Sequence, residues 1–427
     1  MNPVYDAVVL GAGMAGLTAA RALAKARKSV LVLEAASRVG GRIWTVPGII
    51  GALSSELGAE FVHGKPEPTL ALAREAGVEL QPVAARHVTK HGNQFRDLPN
   101  PWQSLAALLD AEPQENENDT NAAAFLAQKG VDTQTHERIR QLVEGFEAAP
   151  LAEVSIHSLA TDAQSLSTDD SQFRITGGYG RLVDFCLNQL LEARVEVRLQ
   201  SRVTNVKWQL RGPVELSVAG AANTLRARTC VVTAPVPVLR DPESLRFEPA
   251  VRTWSGPLAQ LGMGHAARVM LQFRREFAEH ALPRDAFIHQ PNALFETFWA
   301  VQNESFVQWT AWAGGPKAKE LARESTEQRK HLAQASLASL LGLPEATLAE
   351  ALICPIQQHD FSNDPYARGA YSFCRPGGVL AARALSGPIG DALFLAGEAT
   401  DHDYPGTVAG AIASGARAAQ QALAALG

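Results

Sequence analysis

Cysteine is scarce in this chain. Four residues in 427, Cys186, Cys230, Cys354 and Cys374, lie far apart with no CxxC pair, which excludes a zinc ribbon and a disulfide framework and suits a reducing compartment. Positive charge is not in excess either: 39 Lys and Arg stand against 44 Asp and Glu, a formal charge of -5. Nothing therefore draws the chain to nucleic acid or an anionic membrane surface, and the mild acidity favours a cationic small molecule. Residues 1–6 have neither the basic region nor the apolar segment of a signal peptide, and no apolar run reaches the roughly 20 residues that span a bilayer. Together these absences point to a cytoplasmic protein. Internal repeats, low-complexity tracts, a Ser-His-Asp or Cys-His set and a metal-ligand cluster are also missing.

What is present is an ordinary globular composition, 46% hydrophobic and 19% charged. The length calls for two or three domains, or two with interleaved segments. A short apolar run at 4–10 leads through glycines into the helix-forming stretch 17–24, then into a second apolar run, Ser29 to Glu34. That is one βαβ unit. Alternation predicts strands over 195–199 and 203–208, and a buried strand over 229–233. Further strands are expected at 269–273, 306–309 and 392–396. Helical spacing covers 136–146, 181–191, 327–341 and 408–426, and the polar stretch 111–121 reads as a surface loop. The strand and helix at the C-terminus match the opening unit in kind, so the two ends are expected to close one domain.

Within the first unit, Gly11-Ala12-Gly13-Met14-Ala15-Gly16 has the form of a dinucleotide turn. Gly11 permits the tight bend, Gly13 lets backbone approach a pyrophosphate, and Gly16 lets helix and strand pack closely, while the helix N-terminus offers amide donors and a positive dipole. Glu34, about 20 residues on, ends the second strand where a ribose diol would need an acceptor. On its own it could equally be a solvated strand-end charge. These residues predict a dinucleotide without separating FAD from NAD. The next stretch, Ala35-Ala36-Ser37-Arg38-Val39-Gly40-Gly41-Arg42, adds a second glycine pair flanked by arginines, suited to flavin pyrophosphate and ribityl groups.

At this point the chain resembles the flavin-containing amine oxidases, the family of monoamine oxidases, polyamine oxidases and lysine-specific histone demethylases. Gly40-Gly41-Arg42 matches one family segment. Glu56-Leu57-Gly58-Ala59-Glu60-Phe61-Val62-His63-Gly64 looks like the loop beneath the flavin ring, and Gly177-Gly178-Tyr179-Gly180-Arg181-Leu182 like the family's glycine-aromatic turn. Val203 falls on the strand beside adenine. The tail, Gly397-Glu398 through Tyr404-Pro405-Gly406-Thr407-Val408, is most similar to polyamine oxidases and demethylases, and there the helix N-terminus at Thr407-Val408 would face the flavin pyrimidine edge. The resemblance implies non-covalent FAD. It implies an α/β protein in which a Rossmann-type FAD-binding domain (1–80, 165–240, 375–427) is interleaved with an α+β substrate-binding domain (81–164, 241–374) carrying a mixed sheet flanked by helices.

The resemblance also implies oxidation of an amine C-N bond by hydride transfer to flavin N5. The imine hydrolyses to aldehyde plus amine and O2 is reduced to H2O2, with a polyamine or secondary amine as the favoured substrate. Tyr371 and Thr407 take the places of the two cage walls; Phe361 stands where relatives have a tryptophan against the flavin. His63 is either a hydrogen-bond partner of the substrate nitrogen or a structural histidine. Glu144 is either an acid for the distal ammonium or a solvated helical residue. Arg268 stands where the family has a lysine, water-linked to N5. It cannot reproduce a compact ammonium, which opens two alternatives: a dehydrogenase using another acceptor, or an amino-acid oxidase whose Arg268 holds a carboxylate. If residues 263–266 shift the register, Arg268 instead forms an internal ion pair. The remaining alternative is an FAD-binding interaction protein with little turnover.

Overall fold

The computed structural model describes residues 4–427 apart from 49–52, 84–85, 93, 110–118, 170, 211, 278–281 and 292. Most of the expected loop at 111–121 therefore lies outside the described residues.

The first sheet has eight strands. Val4–Leu10 sits between Val30–Leu33 and Leu225–Val232, parallel to both, and Leu10 is in register with Leu33 and Val232. Glu196–Arg198 extends one edge, while Val214–Val218, Val203–Lys207 and Arg246–Glu248 extend the other. The central strands are buried on both faces, as parallel strands covered by helices must be. The domain boundary expected at 240 falls inside this sheet, because Arg246–Glu248 pairs with Val203–Lys207.

The two ends of the chain meet here. Leu393–Leu395 pairs parallel with Leu225–Val232, and the helix Val408–Leu426 packs on Met14–Lys25. Small residues allow that approach: a Cβ on Gly415 would stand 2.3 Å from the Ala15 carbonyl oxygen.

The second sheet runs in the order Gln357–Gln358, Ala266–Arg274, Phe306–Gly314, Thr297–Gln302, Ala286–His289, Arg86–His91, Gln94–Leu98. It is mixed, since only Ala286–His289 and Arg86–His91 run parallel. Side chains alternate between its faces. Val88, Val269, Leu271, Phe273, Ile288, Phe298, Val307 and Trp309 enter a core shared with the helix Thr326–Leu341. His87, Arg268, Phe287, His289, Trp299 and Trp312 occupy the other face and line a large cavity. A helical layer, Pro101–Leu109, Ala122–Lys129, Thr133–Phe146 and Ile156–Thr168, covers that cavity around its own apolar cluster. Asn121, Asp132 and Ser155 cap three of these helices by accepting from backbone amides. A small three-stranded sheet, Phe61–His63 with Gln172–Ile175 and Leu80–Val83, links the layers.

Candidate active site

A single cavity of about 930 Å³ extends from the glycine turn at Gly11 and Gly13 to the aromatic face of the second sheet. At the glycine end the parts fit a dinucleotide. Gly11 has φ +99°, and the helix beginning at Met14 has no side-chain cap and no acidic residue in its first turn, so its amides and positive dipole are left for an anion. Gly16 does not line the cavity: a Cβ there would lie 1.9 Å from the Gly11 carbonyl oxygen, so it serves close packing. Glu34 is buried at the cavity wall and accepts from the Ala12 and Ala36 amides (2.6 and 2.8 Å). Burial raises its pKa, against those hydrogen bonds. It is therefore not a solvated strand-end charge.

Met14, Ala15, Ala35, Gly40, Gly41 and Val203 line the same arm. Arg38 curls over its own loop, donating to the carbonyls of Val39, Gly41 and Ile43, and lies over the Trp44 ring at 4.2 Å. Arg42 reaches across to the C-terminal segment. It pairs with Glu398 at 2.7 Å and donates to the Ala370 carbonyl, while Ser372 Oγ donates to the other Glu398 oxygen. Glu398 is thus the tie that holds the tail against the glycine loops. Gly397 has φ +124°. The last helix starts at Val408, capped by Thr407 Oγ1 accepting from the Gly410 amide, with no acid in its first turn.

Tyr371 is on the cavity wall beside Gly406, and its hydroxyl donates to the Phe146 carbonyl. Phe361 packs at Gly58. A separate belt of rings runs Trp102 to Phe146 at 4.8 Å, Phe146 to His63 at 5.4 Å, His63 to Phe61 at 6.0 Å, Phe61 to Trp299 at 5.5 Å, and Trp299 to Trp312 at 6.0 Å. His63 lies in this belt, its Nδ1 without a partner, and burial pushes its pKa down to about 4, so the imidazole is neutral.

Two expectations about charged residues need correcting. Glu144 is neither solvated nor at the cavity: it is buried, ion-paired with Arg140, and accepts from the Leu151 amide. Helical spacing explains this, because it turns Glu144 away from the face carrying Leu142 and Phe146. Arg268 faces the cavity, but both terminal nitrogens are committed, one to the Gly58 carbonyl (2.6 Å) and one to an ion pair with Glu60. Only Nε is without a partner, so no fork remains for a substrate carboxylate. Glu60 also pairs with Arg174 Nε at 2.5 Å and accepts from Trp299 Nε1 at 3.2 Å. The loop Gly58–Phe61 is thereby fixed to the second sheet.

Sequence reading missed a second pair of acids. Glu147, just past the end of Thr133–Phe146, and Asp162, within Ile156–Thr168, meet at the cavity wall. Burial and mutual repulsion hold Glu147 well above the usual carboxylate range, and burial raises Asp162; among the described residues no lysine or arginine acts on either. Burial also raises the Tyr371 phenol, and the negative field of Glu147 adds to it. No local motif marks such a pair, which is created only when two helices pack. Gln172, opposite His63 in the small sheet, and the imidazoles His87 and His289 (Nδ1 to Nε2 2.8 Å) are further cavity residues without a sequence signal.

A dinucleotide cradle opening directly onto an enclosed aromatic chamber defines a flavin-dependent oxidoreductase. The chain matches the family model for flavin containing amine oxidoreductases over residues 14–423, and it belongs to that family. Its cofactor is FAD, for which the cradle, Glu34 and the two uncountered helix N-termini are fitted. It is 26% identical to polyamine oxidase 4 of Oryza sativa subsp. japonica, over 97% of this chain and 88% of that protein. It is 25% identical to lysine-specific histone demethylase 1B of Mus musculus, over 97% of this chain but 52% of that protein. Among solved structures it superposes on putrescine oxidase bound to putrescine with a TM-score of 0.80 at 21% identity, covering 99% of each chain. Cyclohexylamine oxidase from Brevibacterium oxydans IH-35A gives 0.81 at 20% identity, again over 99% of each. Among the described residues no helix is long and apolar enough to cross a membrane, and no group of three or more His, Cys, Asp or Glu could hold a metal ion.

Proposed function

We propose that this enzyme oxidises a C-N bond of a diamine or polyamine, a substrate carrying a second protonated nitrogen, and that the resulting imine is hydrolysed to an aldehyde and a shortened amine. The observation that carries this reading is the Glu147–Asp162 pair: two half-buried carboxylates that meet on the cavity wall with no ion pair to a lysine or arginine among the described residues. Two carboxylates in contact must share a proton or meet an external cation. An ammonium group satisfies it, and the ring belt holds the methylene chain between the two nitrogens. The relatives that include polyamine oxidase 4 and putrescine oxidase are in keeping with such a substrate.

Bound FAD, held non-covalently, supplies the two-electron acceptor. The chain's own residues orient and enclose. Tyr371, fixed by the Phe146 carbonyl, presents its ring to the reacting amine. Neutral His63 offers an acceptor to a nitrogen, and the N-terminus of the helix at Val408 would stabilise negative charge on the bound flavin when it is reduced. Arg268 and Glu60 hold the loop at Gly58. With Arg268 committed to that role, transfer of electrons to an acceptor other than O2 is the second reading, favoured by the absence of a compact, proton-carrying ammonium at this place.

Anaerobic mixing of the yellow holoenzyme with a diamine series, matched monoamines and amino acids tests both. Diamines should bleach the flavin at lower concentration than monoamines of equal length, and amino acids should leave it yellow. Bleaching by amino acids alone would overturn the proposal. Reoxidation of the bleached enzyme by air, against a quinone or dye, separates oxidase from dehydrogenase.

A further inference from the structure

Residues 360–368, Asp-Phe-Ser-Asn-Asp-Pro-Tyr-Ala-Arg, form no strand or helix, yet they are tightly built. Asp360 Oδ1 accepts from the Ser362 and Asn363 amides (3.0 and 3.2 Å), and Asp364 Oδ1 from those of Tyr366 and Ala367 (2.8 and 3.1 Å). These are two successive side-chain-stapled turns. The segment then closes on itself, with the Arg368 amide donating to the Asp364 carbonyl and the Gly369 amide to that of Phe361. Asp364 to Arg368 line the same cavity as Glu34, Arg38, Val203, Ser244 and Leu245, and the charges of Asp364 and Glu34 both act on Arg38.

The segment is fastened at two points. At one end Arg38, Trp44, His359 and Phe361 form a ladder of ring contacts spaced 4.2, 4.8 and 4.5 Å. At the other, Arg368 crosses to the first sheet's side, donating to Asp241 at 2.8 Å and to Ser244 Oγ at 2.6 Å. Arg368 has φ +55°, a conformation an L side chain rarely adopts, and the crossing guanidinium holds it there.

We propose that 360–368 is a strap laid over the nucleotide arm of the cavity, and that the Arg368–Asp241–Ser244 clasp governs how fast FAD leaves. Asp241 suits this role, because the Arg368 and Ser244 donors hold its carboxyl down at about 2 and the clasp stays charged throughout the working pH range. Arg368 acts on the cofactor through the strap and is a positioning residue.

The proposal is tested by the release rate of FAD from holoenzyme after dilution, read as the return of free-FAD fluorescence, for wild type, R368A, D241N, R368K and the charge-swapped double variant R368D/D241R. R368A and D241N should release FAD about fivefold faster, the effect expected of one partly exposed ion pair. R368K should be intermediate, the double variant should return towards wild type, and added salt should speed wild-type release while leaving R368A unaffected. The melting temperature of the FAD-free protein distinguishes a clasp from a general structural role and should be the same in all five. Unchanged release in R368A would overturn the proposal, as would a double variant no slower than R368A, or an equal loss of stability without FAD. The readout does not depend on which amine is oxidised.

Discussion

Glu60→Gln is the perturbation with the most structure behind it. The Glu60 carboxylate is 6% exposed and lies between Arg268, itself 6% exposed, and Arg174, with the Trp299 indole donating to both oxygens. Burial already pushes Arg268 down to about 10, with Glu56 acting in the other direction, and burial alone pushes Arg174 to about 10. Removing the one carboxylate between them leaves two desolvated guanidiniums facing an amide. Breaking one buried pair costs about 3–5 kcal/mol, and two cations losing one partner put this variant at the upper end. Arg268→Met removes one cation and leaves Glu60 its Arg174 and indole contacts, so about 2–3 kcal/mol is expected, mostly from the released Gly58 carbonyl and lost packing. Because the groups act together, the double variant should be less destabilised than the sum by about 1–3 kcal/mol. Thermal unfolding of the FAD-saturated proteins gives all three values, at roughly 2–4 °C per kcal/mol for large domains. Additive effects, or a Glu60→Gln melting point within about 2 °C of wild type, would refute the ion-pair reasoning.

The raised ionisation of Glu147 and Asp162 has a definite sign: the folded protein holds a proton that the unfolded chain releases, so the associated stability is present in acid and is lost as pH rises through the folded values. Melting of the substrate-free enzyme should decline with rising pH over that range, Asp162→Asn should flatten the decline, and a diamine should restore more stability than a monoamine. His63 has the opposite sign. Its pKa is depressed to about 4, so its contribution is present above the ordinary histidine range and lost as pH falls towards 4, and His63→Gln should remove that acid-side loss in a melting profile. Gly13→Ala and Gly16→Ala should separate binding from packing. A Cβ at Gly13 meets nothing nearer than Gly41 at 3.9 Å, so the apoprotein melts normally while FAD affinity falls, whereas the 1.9 Å clash at Gly16 lowers apoprotein stability itself. Thr407→Ala removes the cap on the last helix and should cost about 1 kcal/mol, with Thr407→Ser retaining most of it.

The sequence alone determined what depends on local geometry. A turn that needs glycine at φ +99°, an acid one strand later, and a helix start at the tail are fixed by neighbours in the chain, so Gly11, Gly13, Glu34 and the helix start at Thr407-Val408 could be read in order and the family recognised. The run at 269–273 likewise implied a strand, found within Ala266–Arg274. Tertiary structure decided what depends on the meeting of distant segments. Whether Glu144 or Glu147 reaches the cavity is a matter of helix rotation, which a solvated and a buried acid do not distinguish in sequence. That Arg268 spends its fork on Glu60 and Gly58 follows from a contact across about 210 residues, and the partnership of Glu147 with Asp162 arises only where two helices pack. The cradle at Gly11 was legible because its chemistry is local; the chamber beyond it, including the Glu147–Asp162 pair on its wall, was not, because burial and partner choice are properties of the folded chain.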